Sequence, residues 1–195
     1  MTASHTYKLA AYPKEIKLRD AASVVLKPMT EGDVDALLQF FLGIPEEDRH
    51  YLKEDVTSAK VIAGWAARLD YDRALPLLAW ADGSVVADGT IHRTRAGARS
   101  HVGELRILVS PEYRERGLGT ALMRELAAIA NENGLEYLVF EVVADKEEAA
   151  IKAAEFVGFV RVGILHSHAK DLDGHPRDVV LMEMPLGKWL EWWSF

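Results

Sequence analysis

The stretch 102–134 constrains this chain most. It opens with an apolar run, Val-Gly-Glu-Leu-Arg-Ile-Leu-Val (102–109), and continues through Ser110-Pro111-Glu112-Tyr113 into Arg114-Glu115-Arg116-Gly117-Leu118-Gly119-Thr120. Leu118, Leu122, Leu126, Ile129 and Ala130 then recur at helical spacing, and Asn133-Gly134 supplies a left-handed stop. The pattern predicts a strand, a glycine-containing loop and a long helix. The first-turn N–H groups of such a helix have no internal acceptor, and its dipole is positive at that end. Two glycines let the backbone approach a ligand closely. Together they predict an anion site suited to phosphate, with Arg114 and Arg116 as cationic donors and Thr120 as a hydroxyl.

The rest of the chain supplies the layers around this unit. A short strand is expected at 23–27. Thr30 and Asp33 have capping-box spacing before the stripe Val34, Leu37, Leu38, Phe41, Leu42. A second helix carries Ile62, Trp65, Ala66 and Leu69. Runs 75–81 and 84–91 flank Asp82-Gly83, a type I′ hairpin signal. Residues 135–143 are apolar on both faces and read as a central buried strand. A helix over 146–156 follows, then strands near 159–168 and 178–186 around the polar turn 171–176. The order is strand, two helices, three strands, helix, strand, helix, two strands. It implies an α/β fold with a mixed sheet covered by helices.

Composition narrows the function. The 195 residues suit about one domain. There is no cysteine, which excludes disulfides, cysteine-based metal sites and a thioester enzyme intermediate. No apolar run approaches the roughly 18 residues of a membrane span, and residues 1–17 lack a signal-like apolar core; a cytoplasmic protein without membrane partners is expected. The formal net charge of −7 argues against sequence-independent nucleic-acid binding and suits a cationic partner such as an amine. No Gly-x-Ser-x-Gly elbow is present.

Three phosphate-loop types compete for 114–120. A Walker loop needs a Gly-Lys-Ser/Thr ending that the sequence lacks. A dinucleotide fingerprint would need a small residue at Leu122 and a glycine directly after the strand, whereas Gly117 comes well after Val109. The string Leu-Val-Ser-Pro-Glu-Tyr-Arg-x-x-Gly-x-Gly instead resembles the acyl-CoA loop of the GNAT superfamily, the Gcn5-related N-acetyltransferases, whose pattern is Arg/Gln-x-x-Gly-x-Gly/Ala between a strand and a long helix. Arg114, Gly117 and Gly119 match it. The resemblance spans about residues 23–186. It implies a GNAT-like, mostly antiparallel sheet, splayed between the strands at 102–109 and 135–143, with the pantetheine arm in the gap. Backbone groups of Ile107, Leu108 and Val109 would pair with that arm, and the N–H groups of Arg114, Glu115, Arg116, Gly117, Leu118, Gly119 and Thr120 would hold the pyrophosphate. Acetyl-CoA is the implied co-substrate. The amino half, with Leu18-Arg19-Asp20 and Lys27-Pro28-Met29 before an acidic helix start, is similar to Pat-type bacterial protein-lysine acetyltransferase domains, with Ala21 in place of a glycine and Lys27 in place of an arginine.

The chemistry implied is direct transfer of acetyl to a primary amine, either protein lysine or small molecule. An alkyl ammonium with pKa near 10.4 must first lose a proton. Alternation sets Glu104, Arg106 and Leu108 on one strand face, opposite Leu105, Ile107 and Val109. By resemblance Glu104 is the general base; a surface glutamate paired with Arg106 or a lysine is the competing reading. A strand N–H near Leu108 or Val109 would polarise the thioester carbonyl. The family's usual acid, a tyrosine five residues before the Phe of Gly158-Phe159, falls on Ala154, and its frequent helix-start asparagine on Glu147. Pat-type domains lack that tyrosine too. Tyr113, Tyr137 and water remain open as proton donors. A non-catalytic acyl-CoA sensor is the alternative function.

Other features read more plainly. His166, His168 and His175 carry no known metal spacing and are expected to be exposed strand residues or groove lining; no metal is expected. Asp171-Leu172-Asp173-Gly174 lacks the closing Glu of a calcium loop and reads as a hairpin turn. Glu46-Glu47-Asp48 reads as a helix amino end or an acidic rim for a cationic acceptor. The expected divisions are a loosely attached arm at 1–20, an acetyltransferase domain at 21–187, and a segment at 188–195 whose Trp189, Trp192 and Trp193 either pack on the body or form a homodimer patch.

Overall fold

The computed structural model describes residues 9–187. Strands β1 (Lys14–Lys17) and β2 (Ser23–Pro28) lead to a 3-10 turn at Glu31–Asp33 and helix α1 (Val34–Gly43). Short α2 (Glu46–Arg49) and α3 (Ala59–Ala66) precede β3 (Ala74–Ala81), β4 (Ser84–Arg93) and β5 (Val102–Val109). The chain continues through α4 (Leu118–Glu132), β6 (Tyr137–Val143), α5 (Glu148–Val157), β7 (Val160–Lys170) and β8 (Pro176–Pro185). One eight-stranded sheet has the order β1-β2-β3-β4-β5-β6-β8-β7. Every neighbouring pair is antiparallel except β5 with β6. The expected mixed, mostly antiparallel sheet flanked by helices is therefore present.

Local signals explain most elements. Asp82 and Gly83 both take positive φ, 49° and 80°, which is what the type I′ hairpin between β3 and β4 requires. At the start of α1 the Asp33 carboxylate accepts the Thr30 N–H at 2.8 Å, closing the predicted capping box, though around a 3-10 turn rather than the α-helix itself. The sheet is buried on both faces. Ala87, Ile91 and Leu105 face α4 and α5 through Leu118, Leu122, Leu126 and Ile151. Leu78 and Val85 face α1 and α3 through Leu37, Phe41 and Ile62. Alternating side chains of each strand feed the two cores.

The structure departs from expectation at both ends. Residues 14–17, expected in a loose arm, add an edge strand to the sheet. Tyr12 Oη donates to Glu125 on α4 at 2.8 Å, Lys14 reaches the same carboxylate at 2.6 Å, and the Arg19 N–H donates to the Arg116 carbonyl at 3.1 Å. A four-residue strand has too short a pattern to read from sequence. The β7 and β8 strands run longer than expected, so the turn between them shrinks to 171–175. The tryptophan segment, 188–195, lies outside the described residues.

Candidate active site

The site begins where one ladder stops. Strands β5 and β6 pair from Val102↔Tyr137 to Leu105↔Phe140 and no further. Beyond that point β5 stays on β4, down to Ala87↔Val109, and β6 stays on β8, down to Val143↔Val179. The sheet opens as a fork with its apex at Leu105 and Phe140 and its wide end at Val109 and Val143. Ser110 N–H donates to the Val86 carbonyl at 3.0 Å. The two-residue alternation of an antiparallel ladder then turns the N–H and C=O of Leu108 toward β4, and those of Ile107 and Val109 into the fork. Of the three residues expected to offer backbone groups, Leu108 thus offers its side chain instead. It lines a groove of about 1010 Å³ together with Glu104, Arg106, Ile107, Val142 and Val143.

The loop at 114–120 starts at the fork's wide end. Glu115 and Gly117 sit at φ 58° and 88°. Left-handed residues in a turn make successive N–H groups converge into an anion-binding concavity. Leu118 opens α4, and the first backbone bond of that turn is Ala121 N–H to the Gly117 carbonyl at 3.0 Å. Among the described residues, the N–H groups of 115–120 meet no protein acceptor. The two predicted cationic donors are engaged. Arg114 donates to Asp48 Oδ2 at 2.7 Å and to the Val109 carbonyl at 3.0 Å. Arg116 donates to Asp20 at 2.6 Å and to the Glu112 carbonyl at 3.2 Å, and stacks over Tyr113 at 4.5 Å. Sequence reasoning missed both because Asp48 and Asp20 lie far away in the chain. It also missed Arg19, whose side chain reaches within 3.3 Å of where a Cβ at Gly117 would stand. No carboxylate pairs with Arg19 among the described residues.

At the apex Glu104 accepts two cations on one oxygen. Arg106 Nε lies 2.9 Å and Lys53 Nζ 2.7 Å from Oε1. Burial pushes the Glu104 carboxyl up, but the hydrogen bonds from Arg106 and Lys53 outweigh it and hold the group below its ordinary value. The pairing expected as the competing reading is thus present, with both hydrogen bonds on Oε1. Lys53 Nζ also lies 3.7 Å from Oε2 of Glu141, across the fork on β6. Behind Glu104, β4 presents Asp88, Thr90 and His92 to the same face, opposite Leu108, Arg106 and Glu104. Burial raises the Asp88 carboxyl to about 6, offset in part by the Thr90 hydroxyl at 3.0 Å and by Arg106. Burial and Arg106 press His92 down to about 4. The alternation of polar residues in 84–93 was the signal for this cluster.

The remaining candidates fall in different places. Ala154 is fully buried in the α5 core. Glu147 lines the groove and accepts the Val143 N–H at 2.8 Å; burial, with Asp48 nearby, raises its carboxyl. Tyr113 stays by the loop under Arg116. Tyr137 pairs with Val102 at the closed end of the fork, edge-on to His101 at 6.1 Å. His168 lines the groove, while His166 is exposed and 2.9 Å from Asp178. Asp171, Asp173 and His175 converge at the β7–β8 turn. There Asp171 accepts the N–H groups of Asp173 and His175 at 3.1 and 2.9 Å and pairs with Arg177 at 2.8 Å, so its oxygens serve the turn.

Comparison with known proteins places this geometry. The model of the acetyltransferase (GNAT) family matches residues 37–159. No curated protein matches the chain. Among solved structures, the GNAT domain of S. lividans PAT is 25% identical with a TM-score of 0.75, over 91% of this chain and 98% of that one. A GNAT-family acetyltransferase from Streptococcus pneumoniae is 21% identical with a TM-score of 0.73, over 84% and 99%. The protein yncA of Salmonella typhimurium, solved with its cofactor acetyl-CoA, is 16% identical with a TM-score of 0.70, over 85% and 95%.

Proposed function

The chain belongs to the GNAT acetyltransferase family, and from that premise we propose that it transfers an acetyl group from acetyl-CoA to a primary amine by direct attack. The observation that carries the reading is the set of N–H groups at 115–120 that meet no acceptor among the described residues, standing at the wide end of an open strand fork. The loop binds the coenzyme's diphosphate. The pantetheine arm runs down the fork against the backbone groups of Ile107 and Val109, as an added strand would. The thioester then lies toward the apex, beside Glu104.

Oε2 of Glu104 takes the proton from the acceptor ammonium. The freed amine nitrogen attacks the thioester carbonyl, the Ile107 or Val109 N–H supports the oxyanion, and the carbon–sulfur bond breaks. The attacking nitrogen sheds its second proton as the amide forms, and the departing thiolate takes a proton from that nitrogen or from water. Glu141 and Glu147 on the groove wall offer carboxylates to a cationic acceptor, among basic side chains such as Arg68, Arg73 and Lys170 on the same wall. Isothermal titration with acetyl-CoA, followed by a screen of amines and lysine peptides, tests the reading. Micromolar binding and acetyl transfer to an amine are expected; no binding at millimolar ligand overturns it. Binding without transfer to any acceptor favours the sensor alternative.

A further inference from the structure

Lys53 stands in an unusual place for a surface lysine. It comes from the loop between α2 and α3, 51 residues before Glu104 in sequence, and its ammonium bridges the two prongs of the fork. Nζ lies 2.7 Å from Glu104 Oε1 on β5, one residue before the last β5–β6 pair, and 3.7 Å from Glu141 Oε2 on β6, one residue past it. Of the described lysines only Lys53 and Lys170 line the groove, and Lys53 alone is ion-paired to residues of the fork. The ion pairs of Lys14, Lys17, Lys27 and Lys152 are made elsewhere, with Glu125, Glu15, Asp33 and Glu148. A primary amine thus already occupies the position where the proposed function requires one, in contact with the proposed base.

We propose that Lys53 is itself an acceptor, and that the protein acetylates this residue within the same chain. The inference rests on the acetyl-CoA reading above. Glu104 takes one proton from the Lys53 ammonium. The neutral nitrogen attacks the acetyl carbonyl, forming the amide C–N bond as the C–S bond breaks; the second proton lost by that nitrogen passes, directly or through water, to the departing coenzyme A thiolate and gives the thiol. No oxidant or further reactant is needed. Tethering holds the amine at a high effective concentration at the apex. The side chain is half exposed, so the acetylated form has room to leave toward solvent. The neutral amide no longer neutralises Glu141, and it leaves Glu104 paired with Arg106 alone, so that both carboxylates attract an incoming cation more strongly.

The test uses the intact chain and acetyl-CoA alone, with no added amine. Acetylation of each lysine is followed in time by peptide mass spectrometry over a tenfold range of protein concentration. The expected result is one acetyl group per chain on Lys53, formed at a rate constant independent of protein concentration. Lys53 should lead Lys152, an exposed lysine outside the groove, and Glu104→Gln should slow its reaction by about a hundredfold. Lys53→Arg should abolish the main acetylated species. Calorimetric binding of acetyl-CoA with Lys53 unmodified, or modified no faster than Lys152, would overturn this inference and leave the acetyltransferase reading standing. A rate that rises with protein concentration would also overturn it, because the transfer would then be between molecules. Absence of acetyl-CoA binding would overturn the parent reading and this one with it.

Discussion

Arg114 donates from Nη2 to Oδ2 of Asp48 at 2.7 Å, and from Nε to the Val109 carbonyl at 3.0 Å. One guanidinium therefore ties α2 to the end of β5 and the start of the anion loop. Asp48 competes with any phosphate for that arginine and adds a negative charge beside it. Asp48→Asn is expected to tighten acetyl-CoA binding roughly two- to fivefold, the range an exposed pair of about 0.4–1 kcal/mol implies. Calorimetry at low salt checks the direction, and weaker binding by the variant would refute the competition.

Glu104 must be ionised to accept a proton, and Lys53 and Arg106 hold its carboxyl below the usual value against the opposing effect of burial. Removing either cation raises that pKa. In Lys53→Met the acidic limb of kcat/KM for an added amine should move to higher pH, while Glu104→Gln should lose about a hundredfold or more in kcat and keep its acetyl-CoA affinity. A pH–rate profile for Lys53→Met that superimposes on the parent would show that the ion pair does not set the base.

Asp88 and His92 make opposite contributions to stability. Asp88 titrates at about 6 in the fold and near 3.8 in the open chain, so the folded form binds more protons and its stabilising contribution is lost as pH rises through about 6. His92 titrates at about 4 against 6.5, so the folded form binds fewer protons and its stabilising contribution is lost as pH falls through about 4. Between pH 4 and 6 the two slopes largely cancel. His92→Gln should leave a chain whose melting temperature falls from pH 4 to 6, and Asp88→Asn one whose melting temperature rises from pH 4 to 6.5, each by on the order of 1–3 kcal/mol of stability. Thermal melts at half-unit intervals decide it; flat profiles in both variants would mean that neither group is perturbed.

Gly117 holds φ at 88°, and a Cβ there would stand 3.3 Å from two atoms of the Arg19 side chain. Gly117→Ala is expected to cost about 1–3 kcal/mol through backbone strain and to weaken acetyl-CoA binding more than tenfold as the N–H groups turn away. Adding Arg19→Ala relieves the crowding but not the strain, so the double variant should recover only part of the stability. Full recovery of both stability and binding would mean that crowding alone was at work.

The sequence by itself determined the elements and the anion loop. Alternation placed Glu104, Arg106 and Leu108 on one face, Asp82-Gly83 fixed a hairpin, and Arg114 to Thr120 identified the loop between strand and helix. These are local properties, carried by residues a few positions apart, so periodicity and turn chemistry report them directly. The tertiary structure alone decided the rest. The fork opens because β5–β6 pairing ends at Leu105↔Phe140 while each strand keeps its other neighbour. Lys53 meets Glu104 across 51 residues, Asp48 meets Arg114 across 66, and Asp20 meets Arg116 across 96. An exposed charge chooses its partner by proximity after folding, and neither its spacing nor its type names that partner beforehand. The same holds for Asp88 and His92, whose protonation follows from the burial and the cation that packing brings to them.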